Sequence, residues 1–357
     1  MSKIMGLQTT CLGAFPKPDY LPIKDWFTVD HGMTDQGGKV TRDYSEAMRK
    51  ADQETEALFV RATKEAVEAQ AESGIDVVSD GEQRRENYIH YHCRNLEGFD
   101  FDNLEARVLR DGAYESELPV IRSDIKARDI TFLQRDYKIA QGFTSHPVKI
   151  TVPGPLTIMD TTVNGHYEEE QKLAFDLADA LNVAIRGLAD AGCPYIQVDE
   201  PLFARAVERA LHYGVEALDR CFHKVPGEVV RVMHMCCGYP NHLDDEEYHK
   251  ADPNCYFELA DAVDRTSVNQ VSIEDAHRHN DLSLLEQFSR SSIIFGSVAI
   301  AKSKVEEVDE VVERLRKALD HIDRERLIAA PDCGLGLLGK TLAMDKLRIL
   351  SAAAKAV

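Results

Sequence analysis

The chain has no run approaching the roughly 20 apolar residues that a bilayer span requires. Its first stretch, MSKIMGLQTTCLGAFP, lacks the apolar core of a signal peptide. Positive charge is in short supply: 42 Lys and Arg stand against 61 Asp and Glu, a formal net charge of −19. That balance argues against nucleic acid or an anionic membrane surface as the main partner. Disulfide spacing is missing too. The eight cysteines (Cys11, Cys93, Cys193, Cys221, Cys236, Cys237, Cys255 and Cys333) are scattered, so reduced thiols and a cytoplasmic location are expected. There is no Pro/Gly/Ser-rich linker, no low-complexity tract, no fixed repeat and no phosphate-cradling glycine pattern.

What is present is a rhythm. In 357 residues, 44% hydrophobic and 29% charged, short β-rich runs alternate with longer amphipathic stretches, as in α/β proteins. Eight runs read as strands: LQTTCLGAF, DVVSDGE, VKITVPGP, YIQVDEP, VVRVMHMCC, VNQVSIED, SIIFGSVAIA and LIAAPDCG. Helical stretches are expected near 45–73, 168–191, 204–222, 257–263, 282–288 and 305–322. In the last, Val308, Val311, Val312, Leu315 and Leu319 form one apolar stripe. Eight β-α steps predict a (β/α)8 TIM barrel forming one catalytic domain over residues 1–357, with an insertion after the second strand at roughly 93–145. Within it, residues 97–121 read as an accessory hairpin or excursion.

The polar residues fall at strand ends. Asp80-Gly81-Glu82, Asp199-Glu200-Pro201, His234 and Cys236, Glu274-Asp275, Lys302 and Asp332-Cys333-Gly334 all follow β-rich runs. Parallel barrel strands bring such ends to one C-terminal face. A single acidic strand end is by default a helix cap; six together are poorly explained that way. His234 and Cys236 share one strand face, and Cys237 points the other way. Cys333, after the last strand, can approach the pair, and zinc favours such Cys and His ligands. Glu258, near a helix start, is either a fourth ligand or an exposed glutamate favoured by the helix dipole. Arg84 and Arg85 suit either an anionic substrate group or a solvated surface. His90 and His92 read as packing.

LQTTCLGAFPKP, DGEQRR, VPGPLTI, IQVDEP, MHMC, VSIE and PDCGL occur in the order and spacing of the catalytic barrel of cobalamin-independent methionine synthases, which the whole chain resembles. The resemblance implies a zinc ion (Zn2+) on His234, Cys236, Glu258 and Cys333. It places Glu82 and Asp199 at the amino group of a homocysteine-like acceptor, with Leu12, Gly13 and Ala14 at its carboxylate; Glu274, at the same rim by its strand-end position, is a further substrate-binding candidate. There are departures from the family. Its folate-stacking Trp after the GP-T motif is missing, and the only tryptophan is Trp26. Its leaving-group His is missing, with Lys302 near that place, and Ala14 stands for its acceptor-loop Ser. The chain is thus expected to be a zinc-dependent methyltransferase of methionine biosynthesis, with Asp199, Glu82 and Lys302 as catalytic groups. Its partners are a small-molecule thiol and a methyl or alkyl donor (a methylated folate, a methylcorrinoid or another small donor), with no nucleic acid and no membrane. A homo-oligomer stays open. The alternatives are alkylation of another thiol, as in epoxyalkane–coenzyme M transferases, a porphyrinogen-decarboxylase-like barrel, or a non-catalytic zinc- or thiol-binding protein.

Overall fold

The computed structural model describes residues 6–25, 36–109, 114–129, 131–240, 242–245 and 250–357. Val148–Pro153 shows how a β-rich run becomes a barrel strand: its side chains alternate between two faces, yet every residue is buried. A strand covered on both faces belongs in a parallel sheet wrapped by helices. Eight strands, buried but for the first residue or two of some, build this sheet: β1 (Gln8–Thr9), β2 (Val78–Ser79), β3 (Val148–Pro153), β4 (Tyr195–Asp199), β5 (Val230–Met235), β6 (Gln270–Ile273), β7 (Ser292–Val298) and β8 (Leu327–Pro331). Their pairings are all parallel. They run in the order β1-β8-β7-β6-β5-β4-β3-β2. A parallel bridge from Thr10 to Val77 joins β1 back to β2 and closes the ring. The (β/α)8 barrel expected from the alternating pattern is present.

The wall sorts its side chains by parity. Leu12, Val232, Ile294, Ile328 and Ala330 form a small apolar cluster inside the ring. Val148, Ile150, Val152, Ile196 and Val198 belong to the larger core beneath the helices. β1 and β2 are only two residues long, so most of LQTTCLGAF and DVVSDGE continues as loop. Those loops hold Leu12–Ala14, Asp80 and Glu82.

The helices depart from expectation in several places: Tyr88–Cys93, Phe132–Gln141 and Pro155–Asp160 are additional, and Leu282–Gln287 is a 3-10 helix. The 45–73 stretch is two helices, Gln36–Arg49 and Gln53–Glu72, because Asp52 accepts the Thr55 N–H at 2.9 Å and caps the second. The 204–222 stretch contains a π turn at Ala210–Gly214. There the missing side chain of Gly214 admits Leu156, whose Cδ2 would lie 2.8 Å from a Cβ. Helix Lys340–Ala356 was not expected; its alanine-rich buried face marks it weakly. It fastens the chain's start, with the Leu7 N–H donating to Ala354 O at 2.9 Å. Among the described residues, no helix is long and apolar enough to cross a membrane.

Between β2 and β3, Leu96–Leu109 and Tyr114–Ala127 pair as an antiparallel hairpin, extended by Val163–Asn164. Arg107 donates to Met159 O at 2.7 Å and ties the hairpin to helix Pro155–Asp160 after β3.

Glu200 joins β4 to that same short helix. Its fully buried carboxylate accepts the Leu156 and Thr157 N–H groups at 3.0 Å each and the Thr157 hydroxyl at 2.8 Å. Gly154 makes room, since a Cβ there would stand 2.2 Å from the Glu200 carboxyl. Glu200→Ala leaves two buried N–H groups unpaired and should cost about 1–3 kcal/mol in urea unfolding. A loss near zero would mean that water replaces the carboxylate without penalty.

Candidate metal and thiol site

The end of β5 supplies the first two groups, His234 within the strand and Cys236 directly after it. Met233 and Met235 face the helix-covered core, so the alternation turns His234 and then Cys236 to the opposite side, toward the barrel axis. Cys333 arrives from the turn after β8. The His234 Nε2 lies 3.3 Å from Cys333 Sγ, and one donor atom from each of His234, Cys236 and Cys333 lies within 4.8 Å of the others. The second ring nitrogen, Nδ1, is 2.9 Å from Ser272 Oγ on β6. That contact fixes the ring with Nε2 facing the thiols, the arrangement a metal-bound imidazole needs. The Cys333 thiol hydrogen-bonds to Cys236, which, with His234 beside it, holds Cys236 well below the ordinary thiol range. The same hydrogen bond, with burial, pushes Cys333 up. Cys237 turns away into the core, hydrogen-bonded to Cys255 and Tyr256.

The structure does not bring Glu258 to these groups. Helix Asn254–Asp264 buries Cys255, Tyr256, Leu259, Ala260 and Val263, and that stripe leaves Glu258 on the exposed side. The carboxylate beside Cys236 is Glu274, at the end of β6. Lys250 donates to its Oε2 at 3.0 Å, while its buried Oε1 has no hydrogen-bond partner among the described residues. Burial first, then the charge of Cys236, pushes Glu274 well above the usual carboxylate range. An unsatisfied carboxylate oxygen next to thiols is unfavourable unless a cation shares it. The His–Cys–Cys donor set fits zinc in element type, and its three members match the number of protein ligands that leaves a position open for substrate.

Glu82 and Asp199 flank the triad in the same cleft. Glu82 sits at φ +56, a left-handed conformation rare for a residue with a side chain. The Thr151 hydroxyl donates to its Oε1 at 2.6 Å. Gly13, at φ +114, passes close beneath: a Cβ there would stand 2.6 Å from that oxygen. Arg84 and Arg85, which the sequence left between substrate and surface, are both buried. Arg85 spans Asp80 and Glu82 at 3.2 and 3.5 Å and donates to the Thr151 hydroxyl at 2.8 Å; Arg84 pairs with Glu56. Burial raises Glu82 above its ordinary range, with Arg85 opposing. Asp199 accepts from Gln197 Nε2 at 2.7 Å. Burial pushes it up to about 7, against the charge of His234. Leu12 and Ala14 line the cleft from the β1 side.

The cleft encloses about 1260 Å³ including its open mouth. Its far wall holds groups the sequence did not single out: Tyr88, Thr157, Asp160, Thr161, Arg205 and Tyr239. Asp160 and Arg205 pair at 3.1 Å. Their only signal in the sequence is position, just beyond strand ends already marked by GPLTI and DEP. Lys302 does not reach this cleft. The chain beyond β7 buries Ala299–Ala301, whose last N–H donates to His277 Nε2 at 2.9 Å, and turns Lys302 to solvent. His90 and His92 are buried among the Thr41 hydroxyl and the Thr161 and Tyr88 carbonyls. Burial lowers His90 to about 3. Trp26 lies outside the described residues.

Residues 33–356 match the family model for the cobalamin-independent synthase catalytic domain. A methionine synthase of Thermococcus kodakarensis is 30% identical over 343 residues, covering 96% of this chain and 90% of the relative. One from Sulfolobus acidocaldarius is 29% identical over 347 residues, covering 97% and 90%. A solved B12-independent methionine synthase from Shewanella sp. W3-18-1, in complex with selenomethionine, superposes with a TM-score of 0.84 at 27% identity, covering 98% of this chain and 97% of that one.

Proposed function

Because the chain belongs to the family of cobalamin-independent methionine synthase catalytic domains, we propose that it methylates the thiol of homocysteine on a zinc ion held by His234, Cys236, Cys333 and Glu274. The observation that supports this reading is one cleft containing both the His–Cys–Cys cluster and two buried carboxylates, Glu82 and Asp199. When bound, zinc stabilises the acceptor sulfur as a thiolate, the form that attacks an alkyl group.

The remaining work falls to the chain. Asp199 and Glu82 hold the acceptor's ammonium group and thereby aim its sulfur, the positioning part of catalysis. The Leu12-Gly13-Ala14 backbone passes beside Glu82 at Gly13 and is the segment assigned to the acceptor's carboxylate. Glu274 replaces the Glu258 of the sequence reading, because it is the carboxylate with a buried oxygen free for a cation. Lys302, exposed and outside the cleft, drops out as an acid. The cluster also disfavours a decarboxylase, for which two thiols and an imidazole would be idle. The direct test is methionine formation by zinc-loaded protein given homocysteine and a panel of methyl donors; no product with any donor, while another thiol is alkylated, would move the acceptor elsewhere.

On the donor side, Thr161 turns its hydroxyl to Thr157 O at 2.9 Å, where the family's stacking tryptophan is missing, and among the described residues the one histidine lining the cleft is His234, assigned here to the metal. With 5-methyltetrahydrofolate, a leaving nitrogen needs a proton, and absence of a placed acid typically costs about 10²–10⁴-fold. Methylcobalamin or a methylcorrinoid protein should therefore be the better donor by a comparable factor in initial-rate assays. Equal rates with folate and corrinoid would show that another group supplies the proton.

A further inference from the structure

Lys149 on β3 is 1% exposed, and its Nζ has no hydrogen-bond partner among the described residues. A buried ammonium is costly unless charges or dipoles compensate for it. Register shows where it points: Lys149 pairs with Tyr195 and Thr151 with Gln197 on β4. Tyr195 packs on the apolar cluster inside the ring, so Lys149 shares the interior face with Gln197 and Asp199 farther along β4. Gln197 stands between the two charges. Its Nε2 donates to Asp199 Oδ1 at 2.7 Å and lies 3.4 Å from Leu12 O, and its buried Oε1 has no donor among the described residues. With the amide N–H spent on the carboxylate, a cation deeper on the same face favours the amide oxygen turned its way; Lys149 Nζ and Gln197 Oε1 are not hydrogen-bonded to each other, so this influence is electrostatic. Burial lowers Lys149 to about 8, with Cys11 and Asp199 acting the other way.

The geometry points to Lys149 as a positioning residue for the thiol acceptor: from inside the barrel it orients the Gln197 amide, which in turn presents the Asp199 carboxylate to the acceptor's ammonium group. Lys149 itself touches no substrate. The inference rests on the proposed homocysteine acceptor and adds a determinant of its selectivity. A purely packing role would not distinguish thiols with and without an amino group; a role through Asp199 must.

The test is calorimetric binding of homocysteine and of 4-mercaptobutyrate, the same thiol acid without its amino group, to zinc-loaded protein. The wild type should prefer homocysteine. Lys149→Met, which keeps the volume and removes the charge, should reduce that preference at least about tenfold, or 1.4 kcal/mol, with 4-mercaptobutyrate binding unchanged. Added to Asp199→Asn, it should change nothing further, as for two residues acting through one contact. If the wild type binds both thiols alike, the homocysteine reading fails and takes this inference with it. If the wild type discriminates and Lys149→Met discriminates as well, only the inference is overturned. Should Lys149→Met fail to fold, Gln197→Leu reads the same link: lost discrimination supports it, and retained discrimination overturns it.

Discussion

Replacing Cys333 with serine should strip the protein of its metal. As isolated, the wild type should hold about one zinc per chain, as sites with several cysteinate and histidine ligands do. Cys333 Sγ lies 3.3 Å from His234 Nε2 and hydrogen-bonds to Cys236, so its loss opens one corner of the only three-donor His/Cys/Asp/Glu cluster found among the described residues. Metal content by plasma mass spectrometry should fall to a small fraction for Cys333→Ser and Cys236→Ser, and methyl transfer should fall to background with it. Glu274→Gln should weaken the site by at least about 10–100-fold, the loss typical of even an outer partner of a metal ligand. Cys237→Ser and Glu258→Gln should keep their zinc, since one side chain faces the core and the other faces solvent. Equal loss across all five variants would mean that the metal, if bound, sits elsewhere.

Asp199→Asn should produce the second large effect. Its carboxylate is buried, fixed by Gln197 Nε2 at 2.7 Å, and exposed only toward the cleft. A charge-assisted hydrogen bond to an ammonium group is worth roughly 1.5–3 kcal/mol, so homocysteine affinity should drop about 10- to 150-fold. A sulfonate thiol has no ammonium to hold and should bind Asp199→Asn nearly as well as it binds the wild type. Binding titrations with both ligands check this. An unchanged homocysteine affinity would remove Asp199 from the acceptor site.

The sequence made the barrel and half of its site readable for one reason: strand periodicity survives closure. His234 and Cys236 share a face because they are two residues apart on a strand, and the reactive strand ends meet because all the strands are parallel. Periodicity also held the answer that was missed at Glu258. The stripe of Cys255, Tyr256, Leu259 and Val263 already turned that glutamate outward, while Glu274, at a strand end, is the carboxylate the proposal puts in its place. Other features depend on distant contacts that no local pattern encodes. Arg85 looks like a solvated charge until Asp80, Glu82 and Thr151 converge on it. Lys149 reads as the polar member of an alternating strand, but a closed barrel has no solvent face, so it is buried. The π turn at Ala210–Gly214 leaves no periodic mark, and Lys302 sits at a strand end whose chain then turns away.

X-ray absorption at the zinc edge tests the central claim most directly. With homocysteine added to the zinc-loaded protein, one sulfur scatterer should join the coordination sphere at about 2.3 Å, at the expense of an oxygen ligand. An unchanged spectrum with homocysteine, and with every other thiol tried, would contradict activation of the acceptor sulfur by the metal.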